Sequence, residues 1–382
     1  MTHIYFDHAA TTPVHPEVVQ AMLPYFTQVF GNASSTHSAG REARAAIHQA
    51  RESIASFIGC APPQLLFTSG GTESDNTAIF STAQTGASKG RHIITSQIEH
   101  HAVLHACEHL EQQGYEVTYL PVDQTGRVDV GQLEQSIRPD TICISIMYAN
   151  NEVGTIQPIH EIGTIARAKG IPFHVDAVQA LGHIPIDLHV LPVDMMSFSA
   201  HKVQGPKGIG ALYLAKQTPL QPMLHGGNQE RKRRPGTENN AAVVGFAKAL
   251  QILAANAYET QQKLEKLRLD MVTRPTELLG TEQVVVNGHA VERLPHILNV
   301  SFPGVSTETM LMNLDLEGIA AASGSACTSG SLEVSHVLKA MHLPEEVLKS
   351  AVRFSFGEGN TPDEIEIAAE KIATIVRRIR NK

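Results

Sequence analysis

Along the first 215 or so residues, short apolar runs rich in β-branched side chains alternate with stretches whose apolar residues recur every three or four positions. The runs LLFTS, HIITS, EVTYLPV, TICISIMY, PFHVDAV and DMMSFSA have the length of buried strands, and many of the stretches between them are amphipathic. This alternation predicts an α/β unit built on a largely parallel sheet. From about residue 255 the pattern changes to a charged helix (TQQKLEKLRLDMV), strands around VVVNG and ILNVSF, then AVRFSFG and a last helix. The last helix has explicit start signals: Thr361 as N-cap, Pro362 at the first helical position and Glu364 placed to complete a capping box. Ile365, Ala368, Ile372, Ile375, Val376 and Ile379 keep helical spacing on one face. The expectation is a large α/β domain over residues 15–254 and a smaller α+β domain formed by 1–14 and 255–382, without internal repeats.

Composition narrows the function. The chain has 382 residues, 42% of them hydrophobic and 18% charged, with no tryptophan. A net charge of −8 argues against a general nucleic-acid binder, which needs a surplus of Lys and Arg. The RKRR run at 231–234 is the one basic cluster, and in an acidic chain it reads as a solvated loop. The opening MTHIYFDHAATT lacks the features of a targeting segment, and the absence of a run of about 18 apolar residues leads to the expectation of no membrane contact. Cys60, Cys107, Cys143 and Cys327 lie far apart with no metal-type spacing, as free thiols in the cytoplasm would.

Three stretches carry candidate chemistry. In LLFTSGGTESDNTAIF a strand runs into Gly70 and Gly71 and a helix opens at Thr72, so unpaired amides and the helix dipole make an anion site. No Lys-Ser/Thr pair follows, which excludes a Walker-type loop, and a plain strand-to-helix turn explains the glycines equally well. In FHVDAVQALG an apolar strand ends in Asp176, with Gln179 three residues on; a buried carboxylate there needs a cationic partner, which a structural ion pair would also supply. In DMMSFSAHKVQGPKGIGALYL a strand delivers Ser199, His201 and Lys202 into a Gly/Pro-rich loop. A lysine so placed can lose solvation and form a Schiff base, whereas on its own it reads as a surface lysine. Together the three supply the handles that pyridoxal 5'-phosphate requires: an anion-binding helix start, a carboxylate for the pyridinium nitrogen and a Schiff-base lysine.

The chain resembles the NifS-like cysteine desulfurases, fold-type I pyridoxal-phosphate enzymes of the class V aminotransferase type. The resemblance runs over nearly the whole length through YFDHAATTPV, GNASSTH, TSGGTESDN, IEHHAV, YANNEVGTIQPI, HVDAVQ, SAHKVQGPKGIGALY, QERKRRPGTEN and GSACTSGSLEVSHVL. Departures are small: FDH for the usual LDN, GNASS for GNPSS, and GGNQE, with Asn228, for GGGQE.

The resemblance implies a large domain with a mostly parallel seven-stranded sheet between helices, a smaller α+β domain, and a homodimer. It implies that Lys202 carries the cofactor and then moves the Cα proton, that Asp176 holds the pyridinium, and that Gln179 bonds the phenolic oxygen. Gly71, Thr72, Ser199 and His201 are implied to cradle the phosphate, with Thr237 reaching the phosphate of the neighbouring subunit. His100 is implied to stack on the cofactor ring and to handle protons. Arg353, with Asn32 and Asn151 beside it, is implied to hold the substrate carboxylate, for which an arginine fork is suited. His101, His105 and His109 recur at four-residue spacing, which reads as a polar helix face rather than a metal site.

Cys327 lies in ASGSACTSGS, a Gly/Ser tether spanning about 322–333. The resemblance makes it the thiolate that takes sulfur from L-cysteine as a persulfide, releases alanine, and swings out to deliver sulfur to an iron–sulfur scaffold or other acceptor protein. The alternatives are a cysteine, cystine or selenocysteine lyase on the same fold, which needs no nucleophilic thiol, and an inactive partner-binding scaffold.

Overall fold

The computed structural model describes residues 3–324 and 334–380. Cys327 lies outside the described residues. Among them the strands are β1 (Ile4–Tyr5), β2 (Leu65–Thr68), β3 (His92–Ser96), β4 (Glu116–Leu120), β5 (Thr141–Ser145), β6 (Phe173–Asp176), β7 (Met195–Ser199), β8 (Gly210–Leu214), β9 (Val285–Asn287), β10 (Ile297–Ser301), β11 (Ile319–Ala320) and β12 (Ala351–Ser355).

Seven of them form the main sheet in the order β2-β8-β7-β6-β5-β3-β4. The pairs β3–β4, β3–β5, β5–β6 and β6–β7 are parallel, and β8 runs antiparallel to both β2 and β7. Every residue of β3, β5, β6, β7 and β8 is buried, as strands covered on both faces must be, whereas the edge strand β4 exposes Glu116. All six strand-like runs of the first half are strands. β8 is a seventh, hidden from pattern reading because GALYL follows a Gly/Pro loop and continues the lysine motif. The second part holds the antiparallel sheet β12-β10-β9 and the parallel pair β1–β11. The two-residue strands β1 and β11 are too short to leave a sequence pattern.

Two large hydrophobic cores result. One gathers Ile47, Ile54, Phe67, Ile144, Phe173, Val175, Phe198 and Phe246 around the main sheet. The other joins Ile4 and Phe6 to Leu267, Met271, Phe302, Phe354, Ile365 and Ile372. One helix, Asn240–Leu279, serves both, burying Val243, Phe246 and Leu250 at its start and Leu264, Leu267 and Met271 further on. The charged helix predicted from residue 255 is therefore the second half of a longer one. By length and composition the apolar part of this helix would suffice to cross a bilayer, which corrects the reading that no stretch would. Here that part packs against the helices Ser38–Phe57 and Pro16–Met22. The last helix, Pro362–Arg380, starts as its sequence indicates: Glu364 Oε2 accepts from Thr361 N at 3.0 Å and Thr361 Oγ1 from Glu364 N at 3.3 Å.

Candidate active site

A parallel sheet collects side chains at the carboxyl ends of its strands, where the chain leaves each strand for a loop or helix start. Asp176 is the last residue of β6 and Ser199 the last of β7, with His201 and Lys202 in the 3-10 turn that follows. β2 leads through Ser69 and Gly70 into the helix Gly71–Gly86, and β3 leads to His100, the N-cap of the helix His101–Gln112. These ends surround a cleft of about 420 Å³. Its wall contains Gly71, Thr72, His100, Asn151, Asp176, Gln179, Ser199, His201, Lys202 and Arg353.

The glycines are where backbone must come close. Gly70 has φ 156°, and a Cβ on Gly71 would stand 2.6 Å from Val178 Cγ2. On the opposite side Lys202 Nζ donates to Ala9 O at 2.5 Å and to Ala10 O at 2.9 Å. Gln179 Nε2 donates to the same Ala9 oxygen at 3.0 Å. The AAT segment after His8 is thus the floor on which the lysine and the glutamine rest.

Electrostatics in the cleft follow from burial. His100 accepts from Ala102 N through Nδ1 at 3.1 Å, which leaves the ring proton on Nε2. Burial first, then the charge of Lys202, pulls its pKa down to about 4, so the ring is neutral. His201, bonded through Nδ1 to Thr11 Oγ1 at 3.1 Å, is lowered to about 4 by burial and by Lys202 and Lys207. Asp176 Oδ1 accepts from Val178 N at 2.9 Å. Burial raises Asp176 to about 6, held from rising further by that N–H and by Lys202.

Sequence reasoning misses three buried acids in or behind this wall. Asp75, inside TESDN, lines the cleft; its Oδ1 has no hydrogen-bond partner among the described residues, and burial, then the neighbouring Asp176, push its carboxyl well above the usual carboxylate range. Glu99 accepts from Ser96 Oγ at 2.5 Å and Met147 N at 3.1 Å, and burial raises it to about 8. Glu152, in YANNEV, also lines the cleft, accepts from Ser335 Oγ at 2.5 Å and is raised by burial to about 7. The signal that could have found Asp75 and Glu152 is an acid one helical turn into an otherwise buried helix start, or beside an asparagine turn.

Arg353, on β12, is only 3% exposed, and Nη2 is paired with Asp7 Oδ1 at 2.7 Å while Nη1 donates to Asn151 O at 3.0 Å. Its Nε has no partner among the described residues. Asn32 and Thr237 are exposed and do not line the cleft of this chain. Asn32 Oδ1 caps a local turn by accepting from Ser34 N at 2.8 Å. In the basic run, Arg234 forms a two-pronged pair with Glu73, at 2.8 and 3.2 Å, and Arg233 donates to Pro63 O at 3.1 Å. His101 and His105 stack at 4.9 Å, and His109 meets the Phe80 ring edge-on at 5.7 Å. Cys60, Cys107 and Cys143 are buried free thiols, and burial pushes Cys60 and Cys143 up to about 12.

The donor set fits pyridoxal phosphate: a helix start without side-chain obstruction, a carboxylate at a strand end, a neutral imidazole and an amine facing one cleft.

Comparison with known proteins places this geometry. Residues 4–367 match the class-V aminotransferase family. The chain is 50% identical over 378 residues to a cysteine desulfurase IscS of Methanosarcina thermophila, covering 99% of this chain and 93% of the relative. Its structure superimposes on a NifS-like protein with a TM-score of 0.93 at 38% identity, covering 99% of this chain and 100% of the other. It also superimposes on SspA in complex with cysteine, with a TM-score of 0.80 at 37% identity, over 93% of this chain and 99% of the other. The chain therefore belongs to the class-V aminotransferase family, within its NifS-like and IscS cysteine desulfurases.

Proposed function

We propose that this cysteine desulfurase binds pyridoxal phosphate through Lys202 and takes sulfur from L-cysteine onto Cys327, releasing L-alanine. The carrying observation is the convergence of Lys202, Asp176, His100 and the Gly71 helix start on one cleft. Pyridoxal phosphate, when bound, supplies an electron sink that acidifies the substrate Cα–H and weakens the Cβ–S bond. In this reading Asp176 holds the ring nitrogen, His100 covers the ring face, and the Gly71 and Thr72 amides with Ser199 and His201 receive the phosphate. Gln179 turns its amide to the phenolic oxygen. Arg353 offers its Nε edge to the substrate carboxylate, with Asn151 beside it. Lys202 takes the Cα proton and returns one to product. The Cys327 thiolate attacks the substrate sulfur, so that an S–S bond forms as the C–S bond breaks.

Cys327 then carries a persulfide that passes to an acceptor protein for iron–sulfur cluster assembly. The reading includes a homodimer. Leu23, Phe26 and Phe30, close together in sequence, are exposed at 50%, 62% and 71%, as residues of an interface would be in a lone chain. Asn240, three residues beyond Thr237, donates to Gly31 O at 3.1 Å, which ties the segment of Thr237 to that of Asn32 and supports reading both as contributions to a partner's cleft. It also includes the division into 15–254 and 1–14 with 255–382, which the second core supports by drawing only on the latter segments, although the main core also takes in Val337, Leu338, Met341 and Ala351. The buried free thiols agree with residence in the cytoplasm.

Borohydride reduction of the protein loaded with pyridoxal phosphate, followed by peptide mass analysis, tests the assignment. The label belongs on the peptide containing Lys202; a label on another lysine refutes it.

A further inference from the structure

Behind the cleft lies a second cavity, of about 110 Å³, and among the described residues Lys202 is the single one common to the walls of both. The rear cavity is walled by His8, His183 and His296, beside apolar residues of the Asn240–Leu279 helix such as Leu253 and Leu264. The rings of His183 and His296 stack with centroids 3.6 Å apart and planes 21° off parallel. His296 is 3% exposed, and its Nδ1 has no partner among the described residues. A buried ring nitrogen without a protein partner is satisfied by water where a cavity offers that water further polar partners. His8, Thr12, Pro13 and Gly359 line this cavity and also an open surface groove containing Lys207 and Glu364, so the two spaces adjoin at His8. His15 and Glu358 are the other titratable groups in its wall.

We infer that this histidine-lined cavity is the route by which Lys202 exchanges protons with bulk water, with His183 and His296 as the residues that position and relay the proton. The inference rests on Lys202 being the base of the proposed reaction. When substrate Cα–H breaks, its electron pair stays on the substrate and its proton bonds to the Nζ lone pair. That proton is exchanged for one from cavity water, which His296 and then His183 pass outward while an equivalent proton returns. Nothing is oxidised or reduced. Burial supports the role by keeping His183, at about 4, and His296, well below the ordinary imidazole value, in the neutral form that can both accept and donate.

The test is deuterium retention at Cα of the alanine formed from Cα-deuterated L-cysteine in ordinary water, with the full holoenzyme. His183→Phe and His296→Phe keep a stacking ring but carry no nitrogen, and the cofactor absorbance band reports an intact site. Wild type should wash the label out, and both variants should retain several-fold more deuterium per turnover. Wild-type washout in the variants overturns the inference. If either substitution prevents folding, His8→Asn, at the outer end of the cavity, gives the same reading: raised retention supports the route and unchanged washout overturns it. Lys202→Ala separates the two claims, since Cα exchange that persists without the lysine refutes its role as base rather than the route.

Discussion

Lys202 Nζ rests 2.5 Å from the carbonyl oxygen of Ala9, so the chain's N-terminal segment sets where the reactive amine waits. Two carbonyls, those of Ala9 and Ala10, accept from the amine in the cleft. Removing the amine leaves Ala9 O to Gln179 Nε2 and takes from the cleft the base of the proposed reaction. Lys202→Ala should lower turnover by about 10²–10⁴-fold or more, the range for loss of a positioned acid–base group. Steady-state kinetics at saturating L-cysteine check it, and turnover within tenfold of wild type would contradict it.

Arg353 is already tied to Asp7 and to the Asn151 carbonyl, so a substrate carboxylate meets a guanidinium whose orientation is fixed before binding. Lysine cannot hold that geometry with one ammonium. Arg353→Lys should raise KM for L-cysteine by about 10–100-fold, the equivalent of a charged hydrogen bond worth about 1.5–3 kcal/mol, with a smaller effect on kcat. An unchanged KM would remove Arg353 from substrate recognition.

Legibility in the sequence differs by element. The helix start at Gly71 and the strand ends at Asp176 and Ser199 are legible because glycine clusters and apolar runs are local signals. Thr361 and Glu364 are legible for the same reason. Asp7, Ala9 and Ala10 are not, because their contacts with Arg353 and Lys202 span about 190 to 350 positions and nothing local announces them. The acids Asp75, Glu99 and Glu152 escape notice because a charged residue in a sequence reads as exposed, whereas here each is fully enclosed. The long helix Asn240–Leu279 hides a continuous element under a change of texture near residue 255, since its two halves serve different cores.

Those enclosed acids make stability depend on pH. Burial raises Glu99 from 4.5 to about 8 and Glu152 from 4.5 to about 7, so between these values the folded state binds more protons than the unfolded chain. Relative to alkaline pH, the stability contributed by both groups is fully present below about pH 4.5 and is lost as pH rises through 7 and 8. For Glu99 the upper bound is about 5 kcal/mol, at about 1.4 kcal/mol for each pH unit separating the folded from the unfolded titration. Glu99→Gln should flatten the fall in melting temperature between pH 5 and about 8.5. Parallel curves for variant and wild type would show that Glu99 does not titrate there.

Everything in the proposed reaction turns on sulfur leaving L-cysteine for a thiol of the protein. The decisive measurement is product analysis with L-cysteine and a reductant, on wild type beside Cys327→Ala. Alanine and sulfide in equal amounts are expected from wild type, and neither from the variant although its cofactor absorbance is unchanged. Pyruvate and ammonia, formed equally by both proteins, would refute sulfur transfer and make the enzyme a lyase.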